Sequence, residues 1–177
     1  MPTEVTIRRA TVADAGSVAG HRAAMFLDMG AMTSPAFPEF LVASEAYLRE
    51  AIARNEYLGW LAFPIETPDH AVAGAGVQLR RGLPFPRRHP DGRCDIGEGR
   101  EAIVLNVYTE PAFRRRGLAR RLMMEILDWA RVSCLELLVL HAEPDGRPLY
   151  EELGFALTNE MRYGGELAGW RFPSDAG

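Results

Sequence analysis

Residues 114–121 gather five arginines around one glycine: Arg114, Arg115, Arg116, Gly117, Leu118, Ala119, Arg120 and Arg121. An apolar run at residues 103–107 precedes them and reads as a strand; residues 118–132 follow and read as an amphipathic helix. A helix start exposes unpaired N–H groups and the positive end of the helix dipole. Arginine there is unfavourable unless an anion offsets it, and a glycine lets backbone amides approach that anion closely. The amides of residues 115–120 are therefore positioned to ring a pyrophosphate, with Arg114, Arg120 and Arg121 adding charge-assisted contacts.

Other phosphate patterns fail. A Walker loop needs a lysine, and every basic residue of this chain is arginine. Gly74-Ala75-Gly76 is half a dinucleotide fingerprint, but Leu79 stands where the third glycine belongs, and the segment reads as strand interior. Small residues inside a strand more often mark close packing.

A second cluster lies further on, Leu149-Tyr150-Glu151-Glu152-Leu153-Gly154-Phe155. Alone, its tyrosine reads equally as a core residue with a satisfied hydroxyl.

These residues need elements to position them. Residues 5–9 read as a first strand, and Asp14 is placed to cap a helix running to about Met29 and ended by Gly30. A proline-punctuated connection at residues 33–38 leads to a second helix over 39–54. Residues 58–65 and 71–79 read as strands around a turn at Thr67-Pro68-Asp69. Residues 82–99, rich in proline and glycine, are expected to form a long loop. Residues 136–141, apolar without alternation, are expected to be a central strand. A short helix over 146–153 and a last strand over 155–163 complete the order. Such an order predicts a mixed sheet with helices on both faces.

Composition bounds the rest. The 177 residues suit one domain, spanning residues 1–177 with its core over about 5–163. A net charge of −4 gives no basic field for nucleic acid. Cys94 and Cys134 form neither a disulfide framework nor a zinc pattern, so no metal is expected and a reducing, cytoplasmic setting is. No signal-peptide core and no window of ~20 apolar residues is present, so no membrane association is expected.

Taken together, the two clusters resemble the GCN5-related N-acetyltransferases (the GNAT family). Arg114, Gly117 and Ala119 match that family's cofactor motif, Gln/Arg-x-x-Gly-x-Gly/Ala; Leu149, Tyr150, Gly154 and Phe155 match its closing motif. The opening Ile7-Arg8-Arg9-Ala10-Thr11 with Asp14 is also similar, so the resemblance spans about residues 5–163. It implies an α/β (α+β) fold: a mixed, mostly antiparallel sheet of about six to seven strands and about four helices, with a splayed parallel strand pair at the cofactor site. The implied co-substrate is acetyl-CoA. Its pantetheine would bond backbone groups of Val107, Tyr108 and Thr109, and its pyrophosphate the turn from Arg114 through Arg115, Arg116, Gly117, Leu118 and Ala119 to Arg120.

The resemblance implies N-acetyl transfer to a primary amine of a small molecule or peptide by direct attack, with Tyr150 as general acid. Transfer of another acyl group, or modification of a protein amine, stays open, as does a catalytically silent CoA-binding module. For the base, His141, Glu143 and a water chain stay open; Asn106 is a candidate to orient the acceptor or a water. The acceptor would lie along the first two helices, making Arg22, Met25, Phe26, Asp28, Met29, Thr33 and Phe37 candidates. Asp28 suits a cationic amine, whereas Arg81, Arg87, Arg88 and Arg93 suit an anionic acceptor. A homodimer is a further possibility that the resemblance raises.

Overall fold

The computed structural model describes residues 4–158, 160–161, 166–167 and 170–171. They fall into two compact units, Met1–His141 and Ala142–Gly177. Within the first, strands β1 (Val5–Arg9), β2 (Tyr57–Pro64), β3 (Ala73–Arg81), β6 (Arg100–Thr109) and β7 (Leu137–Leu140) form one sheet in the order β1-β2-β3-β6-β7. Every neighbouring pair is antiparallel except β6 and β7, which run parallel. Helices α1 (Ala15–Asp28), α2 (Phe37–Ala53) and α3 (Leu118–Val132) complete this unit, and α4 (Arg147–Glu152) lies in the second. The mixed, mostly antiparallel architecture and the four helices are as expected; among the described residues the main sheet holds five strands.

Strand β2 is buried along its whole length because both of its faces are covered. Tyr57, Leu61 and Phe63 join Val18, Leu48 and Ile52 in a core against α1 and α2. The alternate residue Trp60 meets Trp129 of α3 edge to face, ring centroids 5.8 Å apart. Leu118, Leu122, Ile126 and Ala130, spaced every four residues, make the buried stripe of α3.

The ends of α1 are specified locally. Thr11 and Asp14 form a reciprocal capping box ahead of it, and Arg8 grips the same carboxylate with Nη1 and Nη2, each at 2.8 Å. At the far end Gly30 takes φ +68°, and Ala31 N donates back to Phe26 O at 3.0 Å.

Three expectations change. Residues 82–99 are not a structureless loop: β4 (Phe85–Arg88) pairs antiparallel with β5 (Cys94–Gly97). Side chains fix this hairpin, since Arg87 pairs with Asp95 at 2.8 Å and with Glu136 at 3.1 Å. Glu136 also accepts the backbone N–H groups of Glu98 and Arg100. Strand β7 is not central: among the described residues it is the edge of the sheet, with Leu137 exposed. An apolar run without alternation reads the same at a half-covered edge as between two layers.

Finally, residues 155–158, 160 and 161 carry no strand; 159 and 162–163 of that expected strand lie outside the described residues. The second unit instead pairs β8 (Glu166–Leu167) with β9 (Trp170–Arg171). Its α4 ends at Gly154, φ +93°, which turns the chain so that Phe155 N donates to Tyr150 O and its ring meets the Tyr150 ring edge-on. Tyr150, Gly154 and Phe155 of the closing motif thus form one local cap.

Candidate active site

Strands β6 and β7 pair from Glu101↔Leu137 to Val104↔Leu140 and then stop. Strand β6 continues to Thr109 with no partner on that side among the described residues, so the backbone of residues 105–109 borders a gap. Two features make the gap. His141 leaves the strand directly after the last paired residue, and β6 carries a bulge where it passes Gly74 and Gly76 of β3. Asn106 occupies the bulge with φ +57°, a backbone region in which asparagine is tolerated better than most residues. Inside the open segment, Thr109 Oγ1 is buried with no partner among the described residues.

The gap leads into the turn. Pro111–Phe113 form a 3-10 turn, Arg115 takes φ +62° and Gly117 takes φ +77° as the residue preceding α3. Among the described residues no side chain caps this helix start. Among the described residues, a Cβ added to Gly117 would meet nothing within 4 Å, so none of them fills the space beside Gly117. Leu118 is buried beneath it and anchors the helix; Ala119 and Arg120 follow in the first helical turn.

The arginines do different work from the amides. Arg114 Nε donates to Thr109 O at 2.9 Å, its Nη2 pairs with Asp28 at the end of α1, and its guanidinium lies 5.7 Å from the Tyr108 ring. Arg116 Nη2 donates to Ala112 O at 2.9 Å, and Arg121 Nη2 reaches Val5 O at 3.2 Å. Arg114 therefore braces the turn against the end of β6. Tyr108 itself is buried, its ring 5.4 Å from His21, and burial with the nearby Asp28 carboxylate raises its phenol pKa.

On the α1–α2 face, the bulge places Leu105 and Asn106 side by side on the floor of a cleft of about 340 Å³. Arg22, Phe40, Ser44, Tyr47, Tyr57 and Gln78 line the rest of it. The Asn106 amide is committed twice: Oδ1 accepts from Arg22 Nη1 at 2.6 Å, and Nδ2 donates to the Tyr57 hydroxyl at 3.0 Å. Burial pushes the Tyr57 phenol up to about 12. Arg22 lies 4.8 Å from the Phe26 ring and 5.8 Å from that of Phe40.

Of the other acceptor candidates, Met25 is half-buried, Met29, Thr33 and Asp28 are exposed, and Phe26 packs edge-on against Phe40. Tyr57, Tyr47 and Gln78 were not legible as site residues. The available signal is Gly76, since its Cβ would overlap the Tyr57 hydroxyl. Tyr150 lies on α4 of the second unit, and burial raises its phenol pKa. Among the described residues no group of three potential metal ligands occurs, and no helix is long and apolar enough to cross a membrane.

A profile of the family described as "Acetyltransferase (GNAT) family" matches residues 26–155. The structure is similar to that of a GCN5-related N-acetyltransferase from Ralstonia eutropha JMP134, with TM-score 0.75 and 27% identity over 90% of this chain and 97% of that one. It is also similar to a predicted acetyltransferase from Clostridium acetobutylicum solved with acetyl-CoA, with TM-score 0.70 and 22% identity over 90% and 95% of the two chains. An aminoglycoside N-acetyltransferase in complex with CoA shares the fold at TM-score 0.66 and 16% identity, over 92% and 95%. No curated protein sequence matches the chain.

Proposed function

The chain belongs to the acetyltransferase (GNAT) family, and from that premise we propose that it transfers an acetyl group from acetyl-CoA to a primary amine within a ternary complex. One observation carries this reading: β6 parts from β7 after Val104↔Leu140 and runs, open-edged, into the uncapped start of α3. An extended amide-bearing chain fits an open strand edge, because it can complete the missing ladder. The pyrophosphate fits the amides over Gly117, where no described residue fills the space and the helix dipole is positive. The buried hydroxyl of Thr109 supplies a polar contact between the two.

The chemistry then follows from proton bookkeeping. An alkylammonium, with pKa ~10.4, must lose its proton before it attacks. His141, adjoining the last paired rung of β7, accepts that proton directly or through water. The neutral nitrogen forms the new C–N bond at the thioester carbonyl, the oxyanion is held by backbone N–H near Val107, the C–S bond breaks as the carbonyl re-forms, and the nitrogen sheds its second proton to water. Tyr150, kept protonated by burial, delivers its proton to the leaving thiolate and regains one from solvent.

Thermal denaturation with acetyl-CoA, followed by thiol release with a panel of amines, tests the reading. Acetyl-CoA should raise stability, by about 2.7 kcal/mol at a hundredfold excess over Kd. At least one amine should then release thiol. No stabilisation at saturation refutes the cofactor site; stabilisation without thiol release from any amine points to a silent CoA-binding module.

A further inference from the structure

The cleft over the β6 bulge holds a cation with no anion beside it among the described residues. Arg22 is partly buried between Phe26 and Phe40, and among the described residues its one hydrogen bond goes to the neutral Asn106 amide. None of the residues lining the cleft is acidic, and no carboxylate pairs with Arg22 among the described residues. Burial lowers its pKa, opposed only by the phenols of Tyr57 and Tyr47. A guanidinium withdrawn from water is costly unless an anion or several acceptors meet it, and it presents five donors in a planar fork that matches a carboxylate.

Three of the charged residues considered for the acceptor are already engaged. Asp28 pairs with Arg114, Arg87 pairs with Asp95 and Glu136, and Arg93 pairs with Asp91. The cleft also offers the Ser44 and Tyr47 hydroxyls beside the apolar walls of Phe40, Leu48 and Leu105.

We propose that this cleft seats the acceptor, and that Arg22 selects amines that carry a carboxylate on an apolar or aromatic body. This rests on the transfer reading above. The floor of the cleft is Asn106, whose chain neighbour Val107 begins the stretch assigned to the thioester, so a ligand held there by its carboxylate lies beside the reacting strand.

The probes are 3-phenylpropionate and its carboxamide, equal in shape and different in charge, measured by calorimetry against the whole chain with and without acetyl-CoA. The acid should bind about tenfold or more tightly than the amide, the scale of one charge-assisted pair. Arg22→Gln should abolish that preference while the acetyl-CoA shift persists. Ala43→Phe, on an exposed position lining the cleft, should weaken acid and amide together and reads the same cleft if Arg22→Gln fails to fold. Equal binding of acid and amide, binding of neither, or a preference that survives Arg22→Gln overturns the proposal. Absence of an acetyl-CoA shift would instead strike the transfer reading, because the acid–amide comparison needs no turnover.

Discussion

The Tyr57 hydroxyl occupies the space that a Cβ on residue 76 would need. Gly76 sits on β3 beside β2, and the missing side chain lets the Tyr57 ring lie flat across the sheet and reach Asn106 at 3.0 Å. The Arg22–Asn106–Tyr57 chain of hydrogen bonds therefore depends on a glycine that touches no ligand. Gly76→Ala should destabilise the fold by about 1–3 kcal/mol, the usual cost of overpacking. It should also lower the melting temperature more than Gly16→Ala, whose nearest neighbour is the side chain of Glu45 at 3.6 Å. Equal melting temperatures for the two variants would refute the packing argument.

Asp14 gives the fold a pH dependence. Arg8 Nη1 and Nη2, Thr11 N and Thr11 Oγ1 each donate to its carboxylate at 2.8 Å. The Arg8 hydrogen bond, the largest influence, holds its pKa well below the ordinary 3.8. With the folded pKa below the unfolded one, this contribution is complete above the unfolded value and is lost as pH falls through the folded one. Asp14→Asn should cost about 1–2 kcal/mol at neutral pH, Arg8 being half-exposed and partly screened. Denaturant titrations should show the gap closing below about pH 4; a gap unchanged by acid would show that the charge is irrelevant.

Gly117 and Arg115 both take left-handed backbone angles, but only Gly117 does so without a side chain. Gly117→Val should impose strain of about 1–2 kcal/mol or more and fill the space beside the turn. The acetyl-CoA-dependent rise in melting temperature should then shrink far more than in Arg115→Ala. Equal rises in both variants would remove the turn from the cofactor site.

Asp28 and Arg114 tie the end of α1 to the end of β6. Because Arg114 also holds Thr109 O, Arg114→Ala and Asp28→Asn should each weaken acetyl-CoA binding by loosening the turn. A double-mutant cycle on unfolding free energy should give coupling of about 0.5–1 kcal/mol for this half-exposed pair. Strict additivity would mean that the two residues act separately.

Tyr150→Phe should lower kcat while the acetyl-CoA shift is retained, since the ring that packs on Phe155 remains and only the hydroxyl is lost. A kcat that survives unchanged would leave Tyr150 as part of the α4 cap alone.

Much of this arrangement was legible in the chain. The four-residue apolar spacing from Leu118 to Ala130 marks α3, and Thr11 with Asp14 and Gly30 mark the ends of α1, because caps and periodicity are local. The β4–β5 hairpin was hidden, because its strands are short, β4 carries a proline and two arginines, and the pair is held through Glu136, distant in sequence. The edge position of β7 was hidden too, since an apolar run does not record which strands flank it.

By itself, the sequence determined the four helices, most strands of the main sheet, the glycine before α3 and the family, because caps, periodicity and motifs are written in short stretches of chain. The tertiary structure alone decided that Arg114 braces rather than reaches outward, that Asn106 sits in a bulge, and that Arg22 faces a cleft without an anion. Each of these depends on partners brought together from α1, β2, β3 and β6. Long-range pairing and burial, not residue type, set what a charge or an amide can do.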